Sequence, residues 1–164
     1  MSRDVVVLSA TRSAIGGFGG SLSGNCIPTE SRFPYVARVA SIQAGLPMES
    51  VAMSVNRLCS SGLQAIVSTA QSIMLNDCDY GVGGGVEVMS RGTYLSPAMR
   101  SGARMGDSVM VDSMVATLTD PFGVGHMGIT AENLAEKWDI TREQQDEFAV
   151  ESHRRAALAI EEGR

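Results

Sequence analysis

Among the groups in this sequence capable of covalent chemistry, Cys59 has the most suggestive surroundings. It stands in Val55-Asn56-Arg57-Leu58-Cys59-Ser60-Ser61-Gly62, at the entrance of a run from Leu58 to Asn76 that carries no charge, although Arg57 and Asp77 on either side do. Ser60, Ser61, Gln64, Ser68, Thr69, Gln71 and Ser72 make the run too polar for a membrane span, so it reads as a helix buried inside a protein. A thiol at the mouth of such a helix lies where unpaired backbone N–H groups and the helix dipole favour the thiolate, the form that attacks carbonyl carbon. The other reading is a small buried hydrophobe, as many free cysteines are. Local features leave the two open.

Other candidates are weaker. Cys26 and Cys78 read as small hydrophobes; the three cysteines form no zinc spacing and no CxxC, so reduced thiols, no metal and no disulfide framework are expected. His126 lies between glycines in Gly125-His126-Met127-Gly128 and His153 in a charged helical face, and each suits a structural hydrogen bond. No histidine or carboxylate is tied to Cys59 by spacing, so no Cys-His dyad is legible. Gly16-Gly17-Phe18-Gly19-Gly20 fits neither GxGxxG nor a P-loop and reads as a turn-forming loop.

The elements that must position Cys59 follow from patterning. Val5 to Ser9 reads as a strand buried on both faces, Tyr35 to Ala44 as a short helix with Pro34 near its start and Gly45 after its end, and Glu49 to Val55 as a strand feeding the cysteine. Ser60 to Leu75 is the helix, and Tyr80 to Val86 a glycine-rich strand where another backbone comes close. Strand, helix, strand in that order predicts a parallel βαβ unit and an α/β fold.

The 164 residues, 44% apolar, have the length of one domain. The net charge of -5, with Lys137 the only lysine, argues against a polybasic surface, so neither nucleic acid nor membrane is expected as a partner. The N-terminus lacks the shape of a signal peptide and no stretch suits a membrane helix, so a cytoplasmic protein is the expectation. Residues 1–90 carry 11 charges and residues 91–164 carry 20, so the first part reads as interior and the second as an exposed subdomain. Met99, Met105, Met110, Met114 and Met127 cluster in that second part, as core packing or as an adaptable surface. Thr141-Arg142-Glu143-Gln144 has the capping-box pattern and predicts a helix to about Glu162, stopped by Gly163, with Phe148, Ser152, Ala156 and Ile160 as its buried stripe.

Asn56-Arg57-Leu58-Cys59-Ser60-Ser61-Gly62 resembles the acyl-enzyme cysteine motif of the thiolases, the acetyl-CoA acetyltransferase and 3-ketoacyl-CoA thiolase family. Arg12-Ser13-Ala14-Ile15-Gly16, Gly83-Gly84-Gly85-Val86-Glu87-Val88-Met89-Ser90, Gly125-His126-Met127-Gly128 and Thr130-Ala131-Glu132-Asn133 resemble further thiolase segments, in thiolase order. The resemblance implies an α/β fold, the N-terminal half of a thiolase, with a mixed, mostly parallel sheet, a buried helix after the nucleophile, and part of a loop subdomain. It also implies an acyltransferase in which Cys59 takes the acyl group from acyl-CoA and passes it to CoA or a second acyl-CoA. By the same resemblance Cys59 N–H is one oxyanion-hole donor, and Leu118, His126 and Met127 line the acyl and pantetheine pocket. CoA and acyl-CoA are then substrates, with no tightly bound cofactor, and the partner in the complete family is a second copy, in a dimer or tetramer. The segment from Arg100 to Met114 resembles the part of the loop domain that pairs thiolase dimers.

Two departures shape the expectation. Ser23 alone separates Gly19-Gly20-Ser21-Leu22 from Gly24-Asn25-Cys26-Ile27-Pro28, where the family has a helix and another strand, a βα unit of roughly 30 residues. A sheet lacking an interior strand exposes backbone groups its neighbours should cover. The family's Asn-Glu motif, the histidine of its Gly-His-Pro motif and its second catalytic cysteine belong to a second half and are not among these residues. The expected organisation is an α/β core over residues 1–90, lacking one helix-strand unit after Leu22, and a partial loop subdomain over residues 91–164. The chain is expected to hold the nucleophile without its bases and to turn over weakly or not at all alone. Two other readings are a non-catalytic fragment that associates with full-length thiolase and a fragment of a ketosynthase-like condensing enzyme.

Overall fold

The computed structural model describes Val5, Val7 and residues 22–163 of the chain. The strand expected over Val5 to Ser9, the glycine loop at Gly16 to Gly20 and the thiolase-like segment at Arg12 to Gly16 lie outside the described residues, except that Val5 and Val7 carry no regular secondary structure and are exposed. The chain divides into two compact units, Met1–Thr117 and Leu118–Arg164. The change in charge density near Ser90 falls inside the first.

Among the described residues the first unit is built on three short parallel strands, β1 (Leu22–Gly24), β2 (Met53–Val55) and β3 (Gly83–Gly85), in the order β2-β1-β3. Gly24 is registered with Val55 on one side and Gly85 on the other. β1, which begins where the extra unit is expected, is the middle strand of the three among the described residues. Both β2 and β3 are shorter than patterning predicts: Val51 and Tyr80 lie outside them and are exposed, because only the three-residue segments find ladder partners.

Helices cover both faces of this sheet. Helix α1 (Val36–Gln43) follows a 3-10 turn at Phe33–Tyr35 and buries Ala37, Ala40 and Ser41. Its Ala37 N–H donates to Ser54 Oγ on β2 at 3.5 Å, and Arg38 ties it to the carbonyls of Met48 and Ser50. Side chains alternate across a strand, so the neighbours of Ser54 face the other way, together with Gly24, Gly83 and Gly85.

Helix α2 (Ser61–Met74) packs on that second face. A Cβ on Gly24 would lie 2.2 Å from the carbonyl carbon of Ser61, and one on Gly83 would lie 2.9 Å from Ile66 Cα. Only glycine lets the helix come this close. The uncharged run thus forms the expected helix, but it is buried on one face only: Ser61, Ala65 and Thr69 meet the sheet, whereas Leu63, Ile66, Val67 and Met74 are exposed. Ile27, Ala37, Ala40 and Ala65 are the buried apolar residues among those described, a core of mostly small side chains matched to this close packing.

After β3 the first unit continues to an antiparallel pair, β4 (Tyr94–Leu95) with β5 (Val111–Asp112), leading into α3 (Ser113–Thr117). Asp112 Oδ1 accepts from Met114 N–H and Val115 N–H and so caps α3. In this part Met99, Met105 and Met110 are exposed, as is Met127 in the second unit, so these four methionines are not core residues of this chain.

The second unit holds α4 (Met127–Lys137) and α5 (Arg142–Glu161). The capping box is formed as its sequence predicts: Thr141 Oγ1 accepts from Gln144 N–H at 3.3 Å and Gln144 Oε1 accepts from Thr141 N–H at 2.9 Å. The buried stripe is not. Phe148 is 77% and Ile160 80% exposed, because nothing among the described residues packs on that side of α5.

Candidate functional site

Between the end of β2 and the start of α2 the chain has only Asn56 to Ser60 in which to turn. It does so by placing Leu58 at φ +52°, a left-handed conformation that costs a residue with a Cβ about 1–2 kcal/mol. Four local hydrogen bonds hold the turn. Leu58 N–H donates to Asn56 Oδ1 at 2.9 Å, and Arg57 N–H to Ser61 Oγ at 2.8 Å. Ser61 N–H and its hydroxyl both donate to the Leu58 carbonyl, at 3.0 and 2.5 Å. Ser61 is buried and Cys59 is exposed, so the buried hydroxyl fixes the turn and the turn presents the thiol.

Cys59 precedes Ser60, the residue at the N-cap position of α2, and the first turn of that helix carries no acidic side chain. The thiol therefore sits at the positive end of a 14-residue helix, where a developing anion is favoured. Cys59 is exposed among the described residues and not buried with apolar side chains.

A second layer of contacts lies beneath the turn. Asn56 Nδ2 donates to the carbonyl of Cys26 at 3.2 Å. The segment carrying Cys26 is in turn gripped by Glu87, whose Oε2 accepts from Cys26 N–H at 2.7 Å and whose Oε1 accepts from Ile27 N–H at 3.1 Å and Asn25 Nδ2 at 3.0 Å. Asn25 Nδ2 also donates to the Val86 carbonyl. Burial pushes the Cys26 thiol up, and the charges of Glu87 and Cys59 beside it add to that shift. Cys26 is thus held as a neutral thiol next to the exposed one.

Sequence patterning gave Asn56 and Glu87 no role of their own. The signal that could have found Glu87 is its isolation: it is the only charged residue between Asp79 and Arg91, directly after the glycine strand. An acid in such a place needs donors, and the end of the neighbouring strand supplies them.

In the second unit the chain folds back on itself so that Met127 N–H donates to the Leu118 carbonyl at 2.8 Å and Asp120 N–H to the Gly125 carbonyl at 2.9 Å. Asp120 Oδ1 steadies the loop by accepting from Phe122 N–H at 2.7 Å. Leu118, His126 and Met127 are brought together there, while Cys59 belongs to the first unit. His126 is the N-cap of α4, with Nδ1 accepting from Gly128 N–H at 3.0 Å. That bond places the ring proton of the neutral imidazole on Nε2. Among the described residues no group of His, Cys, Asp and Glu could hold a metal ion, and no helix is long and apolar enough to cross a membrane.

Comparison with known proteins identifies the family. A beta-ketothiolase of Cupriavidus necator is 50% identical over 194 aligned positions that take in 99% of this chain and 49% of the relative. An acetyl-CoA acetyltransferase of Pseudomonas aeruginosa is 42% identical, again over 99% of the chain and 49% of the relative. The chain thus spans about half the length of the curated relatives it matches. The 194 positions exceed the 164 residues of the chain, so the relative carries a surplus of about 30 residues within the matched span, the size of the expected missing unit.

Among solved structures, acetyl-CoA acetyltransferase of Bacillus anthracis superposes with a TM-score of 0.78 at 42% identity, over 87% of this chain and 36% of that one. Human mitochondrial 3-ketoacyl-CoA thiolase in complex with CoA superposes with a TM-score of 0.75 at 33% identity, over 88% of this chain and 37% of that one. The family model "Thiolase, N-terminal domain" matches residues 22–164, from the first residue of β1 onward. With that match covering the sheet, the cysteine turn and the helices that follow, the chain belongs to the thiolase family.

Proposed function

We propose that Cys59 is an acyl-accepting nucleophile and that the parent reaction is acyl transfer between acyl-CoA and CoA or a second acyl-CoA. The observation that carries this is the exposure of Cys59 on a hydrogen-bonded turn at the N-terminal end of α2. In the first step the thiolate attacks the thioester carbonyl of acyl-CoA. The carbon–sulfur bond to CoA breaks, CoA leaves as a thiolate that takes up a proton, and the acyl group stays as a thioester on Cys59. Cys59 N–H is the donor proposed for the oxyanion formed on the way. In the second step a CoA thiolate, or the carbanion of a second acyl-CoA, attacks that thioester and releases Cys59.

Leu118, His126 and Met127 are the residues proposed to line the acyl and pantetheine pocket. The Nδ1 cap that His126 provides fixes its ring and leaves Nε2–H as a donor toward a ligand.

The test is incubation of the chain with acetyl-CoA followed by peptide mass spectrometry. A gain of about 42 Da on the Cys59 peptide, absent in Cys59→Ala, is expected for the covalent intermediate. Labelling of Cys26 or Cys78 in place of Cys59 overturns the assignment of the nucleophile, and no label at all overturns the acyl-CoA reaction.

A further inference from the structure

We propose that Glu87 and Asn56 are positioning residues that set the orientation of the Cys59 turn through the backbone of Asn25 to Ile27. The inference deepens the assignment of Cys59 as nucleophile and rests on it. Each link is a hydrogen bond in the structure. Glu87 binds the N–H groups of Cys26 and Ile27 and the side-chain amide of Asn25 with its two oxygens. The Cys26 carbonyl so fixed accepts from Asn56 Nδ2, and Asn56 Oδ1 accepts from Leu58 N–H, the residue in the left-handed conformation directly before Cys59.

The chemistry of the two side chains suits the relay. A carboxylate accepts on both oxygens and so can grip donors on two sides, whereas an amide accepts on one atom only. Asn56 is at once donor and acceptor, so one planar group couples the Cys26 carbonyl on one side to the Leu58 N–H on the other. Glu87 stands two residues past β3, and Cys26 two residues past β1, so the carboxylate clamps the ends of neighbouring strands. The turn is thereby referenced to the sheet as well as to α2. Neither residue touches the reacting atoms in this arrangement; both act through the direction in which Cys59 and its N–H point.

A role in orientation can be separated from a role in stability, because two reactions of the same thiolate differ in geometric demand. Acylation of Cys59 by p-nitrophenyl acetate passes through a tetrahedral oxyanion: the thiolate adds to the carbonyl carbon, p-nitrophenolate leaves, and an acetyl thioester remains. Alkylation by iodoacetamide expels iodide in one displacement and needs no oxyanion donor. The ratio of the two rates cancels the thiolate fraction. The readout can be confined to Cys59 by peptide mapping, and Cys26, half-buried with its thiol pushed up, competes weakly.

In the full 164-residue chain, Glu87→Gln sets an amide donor against N–H donors. Asn56→Ser keeps a short acceptor for Leu58 N–H but no longer reaches the Cys26 carbonyl. Each substitution is expected to lower the acylation-to-alkylation ratio about 10-fold, in keeping with the cost of a small misplacement of reacting groups. The double variant is expected to fall no further than either single one, the non-additivity of residues that act in one chain. A wild-type ratio in Asn56→Ser overturns the proposal even if Glu87→Gln does not fold. So do additive losses, or acylation and alkylation slowing in parallel, which is the signature of general loosening. Wild-type chain acylated by p-nitrophenyl acetate but not by acetyl-CoA would leave the positioning intact and count against the acyl-CoA reaction alone. Absence of Cys59 acylation by either reagent overturns both.

Discussion

In the first unit α2 lies so close to the sheet that a methyl group at Gly24 would meet backbone atoms of Ser61 and Gly62 at 2.2 and 2.4 Å. In the second, no residue of α4 or α5 is buried, and both helices are held by their own ends: the His126 cap, the Thr141–Gln144 capping box and ion pairs along the surface. The first region is fixed by contacts between residues far apart in sequence and the second by contacts a few residues apart. The nucleophile proposed at Cys59 would need the former, because its direction must be set against a frame that does not move with its own helix. Cys59 is in the region that provides one.

The strongest way to break this comparison is the same substitution in both regions. Gly24→Ala forces backbone against backbone, with no flexible side chain to yield, and is expected to cost about 3 kcal/mol or more. Gly123→Ala in the second unit meets nothing within 4 Å and has only its φ of +93° to accommodate, a cost of about 1–2 kcal/mol. Urea unfolding followed by circular dichroism measures both. Equal losses would mean that the close approach of α2 carries no special weight.

Much of that frame was legible in the sequence, and the part that was not has a physical cause. Helix α2 came from an uncharged run, and α5 from four residues at its start, because caps and chain polarity are local properties. Burial was not local. Phe148 and Ile160 keep a helical spacing that suggests a core-facing stripe, yet that spacing says only that they share a side, not that anything lies against it. The same limit applies to Leu63, Ile66 and Val67 on the open face of α2. In the candidate site, Cys59 stands out by its motif and by its predicted place before a helix, and it does precede α2. Asn56 and Glu87 act across 30 or more residues of chain, from Asn56 to Cys26 and from Glu87 to Ile27, and no periodicity records such a pairing.

A milder perturbation sharpens the same contrast. Thr141→Ala removes the side-chain oxygen that accepts from Gln144 N–H and should destabilise α5 by about 1 kcal/mol. Because the contact is local, the effect should be too: faster amide exchange in residues 142–145, with the Cys59 alkylation rate unchanged. A change at Cys59 of more than about 2-fold, beyond the reach expected of an N-cap, would show that the two regions are not independently held.

The smallest effect expected is a pH dependence confined to α5. Glu151 Oε2 accepts from Arg154 Nε at 2.7 Å and Oε1 from Arg155 Nε at 2.7 Å, and these bonds, Arg154 first, bring its carboxyl down from 4.5 to about 2. A carboxyl lowered in the folded state contributes stability that is present above its ordinary value and is lost as pH falls through the folded one. Helicity of α5 should therefore be flat above about pH 5 and decline between about pH 4.5 and 2. Glu143, lowered by backbone hydrogen bonding in the first turn and by Thr141, loses its contribution on the acid side as well, so the two must be separated. Glu151→Gln should remove only the part due to the arginine pairs and leave the first-turn part in place. Because these pairs lie at the surface, the Glu151 component should also shrink at 0.5 M salt, roughly the range in which surface charges are screened over a few ångströms. An acid decline of α5 helicity that is identical in Glu151→Gln and in wild type would show that the ion pairs, unlike the cap, do not hold the helix.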